Sequence, residues 1–204
     1  MPPIKRIKGR AVALRGNDID TDRIIPARFL KTVTFENLGE ALLYDERFDA
    51  AGRPKDHPLN RPEARGAKIL VVNAGFGSGS SREHAPQAIK RAGFEAIIGE
   101  SFAEIFFGNA SQIGLVCVTA EPEDVAHLME TVEARPETEV ELDLEAMEAR
   151  YDGRAIPIFL PEAVRAAFLA GKYDPLEVLM EPEAMARVEE LDRRRAAPGK
   201  PGVY

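Results

Sequence analysis

Four short apolar runs recur along the chain: "RAVAL" over residues 10–14, "AKILVV" over 67–72, "FEAIIG" over 94–99 and "LVCVT" over 115–119. Their brevity, their β-branched content and the turn formers around them predict buried strands. Between the second and third runs, "APQAIKRAG" places Pro86 where a first helical turn tolerates a missing N–H and Gly93 where a helix stops. Between the third and fourth, Phe102, Ile105, Phe106 and Ile113 are spaced to fall close to one helical face. Strand, helix, strand, helix, strand in that order predicts parallel βαβ units and an α/β fold.

Past residue 120 the pattern changes. "PEDVAHLMETVEA" reads as an amphipathic helix, "TEVELDLE" and "RAIPIF" as strands joined through the Asp152-Gly153 turn signal, and "PEAVRAAFLAG" as a short helix. The terminal "PEAMARVEELDRRR" has the look of an exposed helix, and no segment repeats. Residues 49–66, "DAAGRPKDHPLNRPEARG", are dense in proline, glycine and charge, which predicts a long surface loop and not a domain boundary. The expected organisation is a single domain over 1–204 with that loop and a C-terminal helical extension.

Composition narrows the function classes. At 204 residues, 45% hydrophobic and 30% charged, the chain has the makings of a substantial core. A net charge of −7 and scattered basic residues argue against a nucleic-acid partner, and short basic clusters at the N-terminus and at Arg193–Arg195 read as solvated ends. No run approaches the ~18 apolar residues of a membrane span, and "MPPIKRIKGR" leads into no apolar signal region, so a cytoplasmic location is expected. The one cysteine, Cys117, sits inside "GLVCVTA" and reads as a buried structural thiol. Alone it makes no intrachain disulfide and holds neither an iron–sulfur cluster nor a thiolate zinc site, which need several ligands.

The chemistry concentrates in "GFGSGSSREHAPQAI", residues 75–89, between a predicted strand and a predicted helix. Glycines allow positive φ and close approach of backbone N–H groups, and a helix beginning just beyond adds partial positive charge, so the natural occupant is an anion. Arg82 strengthens this, because a guanidinium grips a carboxylate or phosphate with paired hydrogen bonds. The spacing is neither that of a P-loop nor that of a dinucleotide fingerprint. A plainer alternative is that Ser80 and Glu83 cap the helix as an S-x-x-E box, although Pro86 would then fall in its second turn.

"GSGSSREHA" resembles the active-site loop in the swivelling domain of the aconitase superfamily. "DIDTDRIIPARFL" (18–30) and "SFAEIFFGNASQIGL" (101–115) resemble the segments before and after it, in the same order and spacing. The length, the long loop after "FLKT" and the wording "FGSGSSREHAP" are most similar to small subunits of the isopropylmalate-isomerising branch. The resemblance implies a swivelling β/β/α domain with a mostly parallel central sheet, acting in a hydro-lyase on a small dicarboxylic hydroxy acid. It implies that Ser80 is the base, that Ser81 and Arg82 bind the substrate carboxylate, and that Gly77 and Gly79 shape the loop. Asp22 is expected to orient Arg82 or Ser80, with a turn or cap aspartate as the alternative, and His84 to make an orienting or a structural hydrogen bond. Lys31, with Val33, Phe35 and Leu38 nearby, is expected near the substrate's variable group. The apolar trio would suit an isopropyl group, whereas Lys31 would suit the distal carboxylate of a homoaconitase-type substrate. Such enzymes use a [4Fe-4S] cluster, so the resemblance also implies a large subunit that carries it. A homoaconitase or citraconate-hydratase small subunit, and a non-catalytic anion-binding module, stand as alternatives.

Overall fold

The computed structural model describes residues 1–31, 35–176, 186–187 and 190. Val33 and most of the predicted terminal helix lie outside the described residues. The predicted runs form strands β1 (Arg6–Leu14), β2 (Ile69–Val72), β3 (Ala96–Gly99) and β4 (Val116–Thr119), joined side by side in parallel as β4-β3-β2-β1. Two one-turn helices, α1 (Thr21–Ile24) and α2 (Tyr44–Arg47), lie in the long connection from β1 to β2. Helix α3 (His84–Arg91) crosses from β2 to β3, and α4 (Glu104–Gln112) from β3 to β4.

Burial on both faces explains the unbroken apolar character of the central strands. Ile69 and Val71 face one core with Ile98, Val116 and Val118, covered by Val125, Leu128 and Met129 of helix α5 (Pro122–Ala134). Leu70 and Val72 face the other with Ile97, covered by Ala88 and Ile89 of α3, Phe106 of α4, and Leu38 and Leu42 from the β1–β2 connection.

Strand β1 changes partner along its length. Residues Ala11–Leu14 pair in parallel with β2, whereas Arg6–Arg10 pair antiparallel with β5 (Glu139–Asp143). The sheet continues antiparallel through β6 (Glu148–Tyr151) and β7 (Arg154–Pro157), giving seven strands in the order β4-β3-β2-β1-β5-β6-β7. The chain then returns to the far edge, where Thr119 and Phe159 exchange backbone hydrogen bonds of 3.1 and 2.8 Å. Helix α6 (Glu162–Ala170) follows and ends at Gly171, whose φ of 72° suits the left-handed cap.

Two sequence expectations need correction. The Asp152-Gly153 turn joins β7 to β6, not to the "TEVELDLE" strand; β6 shows only a four-residue alternation, with Ala149 and Tyr151 buried, too short to stand out. Ile105 does not share the buried face of α4: it is 56% exposed while Phe106 is buried, and Phe102 precedes the helix. Within the 49–66 loop, Pro58–Asn60 and Pro62–Ala64 form 3-10 turns. Asn60 ties it down, donating to the carbonyls of Arg47 (2.6 Å) and Lys55 (3.1 Å).

Candidate active site

The glycine loop leaves the C-terminal end of β2, where open parallel sheets place ligands, and two other segments lace it down. On one side Gly77 N donates to Ile19 O at 2.8 Å, and Thr21 N donates to Ser78 O at 2.9 Å. On the other, Phe76 N donates to Ser101 O at 3.2 Å, Ala103 N to Phe76 O at 3.0 Å, and Gly75 N to Ser101 Oγ at 2.8 Å. The three motif segments thus converge on one spot. Gly77 is required at the crossing: its φ is +84°, and a Cβ there would run into the Phe106 ring.

Helix α3 begins at His84, so Pro86 sits in its first turn, and its cap residue Glu83 makes no side-chain capping bond. The S-x-x-E box is therefore not formed. Ser80 and Ser81 are exposed, and among the described residues neither hydroxyl has a hydrogen-bond partner. None of the described residues accepts from the backbone N–H groups of Ser80, Ser81, Arg82 and Glu83 either. These donors, at a helix start, make a positive surface for an anion.

Arg82 is the strongest element of the site. Its Nη2 lies 2.6 Å from Asp22 Oδ1, and its side chain is only 21% exposed. The other terminal nitrogen, Nη1, is buried with no partner. A buried guanidinium N–H left unpaired is costly unless a ligand completes it. Beside it opens a cleft of about 220 Å³ lined by Thr21, Gly79, Ser80, Ser81 and Ile105.

The remaining residues, expected and not, divide. Gly79 adopts φ +97°, turning the chain between Ser78 and Ser80. His84 lies at the start of α3 with its ring against Phe35, centroids 5.4 Å apart. Lys31 ends a 3-10 turn and is exposed. Leu38 is 2% exposed in the core behind α3, so it does not present itself to a ligand. Asn109 lines a hollow with Glu83, Gln87 and Gln112, not the Ser80–Arg82 cleft. His57 caps a 3-10 turn by accepting from Leu59 N, and burial lowers its pKa. His127 pairs with the Tyr151 hydroxyl at 2.7 Å.

Sequence reasoning missed Thr21, whose buried hydroxyl donates to Ser80 O at 2.9 Å and fixes the carbonyl beside the serine pair. Its place at the centre of "DTD" was the available signal. It also missed Ile105 as a cleft residue, because helical periodicity assigned it to the core.

No group of three or more His, Cys, Asp or Glu side chains among the described residues is placed to hold a metal ion. Cys117 is fully buried in β4, and burial pushes its thiol pKa up. The donors present do not fit an iron–sulfur cluster, which needs several thiolates.

Comparison with known proteins identifies the family. Residues 1–123 match the family model for the aconitase C-terminal domain. The 3-isopropylmalate dehydratase small subunit of a Thermus thermophilus strain is 60% identical over 192 residues, 94% of each chain. That of Synechocystis sp. is 48% identical over 174 residues, 85% of this chain and 86% of the relative. A crystal structure of 3-isopropylmalate dehydratase from Methanocaldococcus jannaschii superposes with a TM-score of 0.62 at 28% identity, covering 94% of this chain and 99% of that one. The chain belongs to the aconitase C-terminal domain family and, within it, to the 3-isopropylmalate dehydratase small subunits.

Proposed function

We propose that this chain is the small subunit of a 3-isopropylmalate dehydratase. In leucine biosynthesis it would interconvert 2-isopropylmalate and 3-isopropylmalate through 2-isopropylmaleate, as a single cytoplasmic domain paired with a large subunit. The observation that carries the reading is the half-satisfied Arg82: Asp22 holds one terminal nitrogen while the other is buried without a partner, in a residue that lines the cleft with Ser80 and Ser81.

This geometry supports the following share of the reaction for the chain. Arg82 Nη1 and the Ser81 hydroxyl take the carboxylate next to the carbon that loses its proton. Ser80 Oγ removes that proton. A serine hydroxyl is a weak base unless its alkoxide is stabilised, and the free backbone N–H groups and the Arg82 charge serve that purpose. The same donors favour the negative charge that spreads onto the carboxylate as the proton leaves. Expulsion of the hydroxyl falls to the large subunit, to which we assign the [4Fe-4S] cluster, since the donors here do not fit it.

The test is co-expression with a cognate large subunit and assay on 2-isopropylmalate, homocitrate and citraconate. The first is expected to turn over with the highest kcat/KM. Because Lys31 is exposed, Lys31→Ala is expected to leave that preference unchanged. A wild-type preference for the tricarboxylic substrate that Lys31→Ala abolishes would replace this reading with the homoaconitase type.

A further inference from the structure

Two large apolar side chains stand in water beside the site. Ile105 is 56% exposed and Phe159 is 50% exposed. Phe102, Phe107, Leu160 and Pro161 join Phe159 around an open hollow of about 610 Å³. Glu104 borders both this hollow and the Ser80–Arg82 cleft, so the two are neighbours. The hollow is rigidly built, because the Phe159 backbone exchanges hydrogen bonds with Thr119 at the edge of the sheet. Single exposed apolar residues are ordinary, whereas a grouped patch with a concavity marks a contact surface.

The area a stable contact needs identifies the occupant. The chain that completes the site must bring atoms to Ser80 and Arg82, yet the cleft holds only about 220 Å³. A stable complex covers about 800 Å² on each partner, so the contact must spread onto adjoining surface. Toward α1 that surface is ion-paired, Arg82 with Asp22 and Arg23 with Glu46, both at 2.6 Å. Burying such pairs is costly. Toward Phe159 it is largely apolar, with Glu104 the one charged residue of the hollow's lining. Resting on the function proposed above, we propose that the hollow around Phe159, with the exposed Ile105 of the neighbouring cleft, is the docking site for the large subunit, which inserts an aliphatic or aromatic side chain into the hollow.

The experiment uses the reconstituted two-chain enzyme. Phe159→Glu and Ile105→Glu are each expected to raise the Kd for the large subunit about tenfold or more, with Phe159→Leu within about threefold of wild type. With excess large subunit, kcat of Phe159→Glu is expected to stay within about twofold of wild type. On binding, wild-type amides over 102–107 and 159–161 should gain protection from hydrogen exchange, a readout that needs no variant to fold. Unchanged Kd for both glutamate variants, or no protection in those segments, overturns the proposal. So does a Phe159→Glu effect confined to self-association of the isolated chain. A complex that assembles but is inactive on 2-isopropylmalate sinks the functional reading and leaves the docking site standing.

Discussion

Asp22 and Arg82 stand 60 residues apart in the chain and 2.6 Å apart in the fold, carboxylate Oδ1 to guanidinium Nη2. Asp22 is 64% exposed, so the pair adds little to stability, about 0–1 kcal/mol. Its consequence is orientation, since it fixes a guanidinium that lines the cleft. Asp22→Asn is therefore expected to leave Tm nearly unchanged while raising KM about tenfold, with Asp22→Glu recovering part of the loss. Arg82→Lys should be worse, about 30- to 100-fold in kcat/KM, because an ammonium does not reproduce the fork. Equal kinetics for Asp22→Asn and wild type would remove Asp22 from any positioning role.

Ser80→Ala removes a hydroxyl that bonds to nothing among the described residues, so folding and subunit association should survive. Turnover should fall about a thousandfold, the scale of a lost general base. Steady-state kinetics of the reconstituted enzyme decide this, and activity within about tenfold of wild type would exclude Ser80 as the base.

Two glycines of the loop should respond differently to alanine. At Gly77 the new Cβ meets the Phe106 ring as well as an unfavourable φ of +84°, whereas at Gly79 the nearest atom is Thr21 Oγ1, 3.4 Å away. Gly77→Ala should cost about 2–4 kcal/mol and Gly79→Ala about 1 kcal/mol. Chemical denaturation of both variants measures the difference, and equal costs would mean that backbone strain alone operates.

Asp143 predicts a pH dependence. Its buried carboxylate accepts from Ala146 N and Glu145 N at 2.9 Å each and from Arg150 Nη2 at 2.8 Å. The Ala146 N–H first, then Arg150 and the Glu145 N–H, hold its pKa below the ordinary carboxylate value. The folded state therefore binds fewer protons than the unfolded chain. The resulting stability is present above the unfolded pKa of about 3.9 and is lost as pH falls through the lower folded value. Asp143→Asn should cost about 1–3 kcal/mol at neutral pH, with the gap to wild type closing below about pH 4. A gap independent of pH in denaturation curves would show that the charge contributes nothing.

The parallel strands, the start and stop of α3 and the extent of α5 were legible in the sequence because each is a local matter. Four apolar residues in a row specify a strand buried on both faces, and Pro86 and Gly93 limit a helix through their own dihedrals. The loop's chemistry was legible too, since glycines, serines and Arg82 are contiguous. Ile105 was misread because periodicity tells which residues share a helical face but not whether anything packs against that face. The resemblance implied that Asp22 stands by Arg82 or Ser80, but the tertiary structure decided which of them it meets and alone brought Thr21 to Ser80. It does so by laying β1 beside β2 in parallel, with Ala11 opposite Ile69, so that the segments leaving both strands emerge at the same sheet end. No local preference encodes that register: it comes from burying two apolar strands side by side, and the half-satisfied guanidinium is its result.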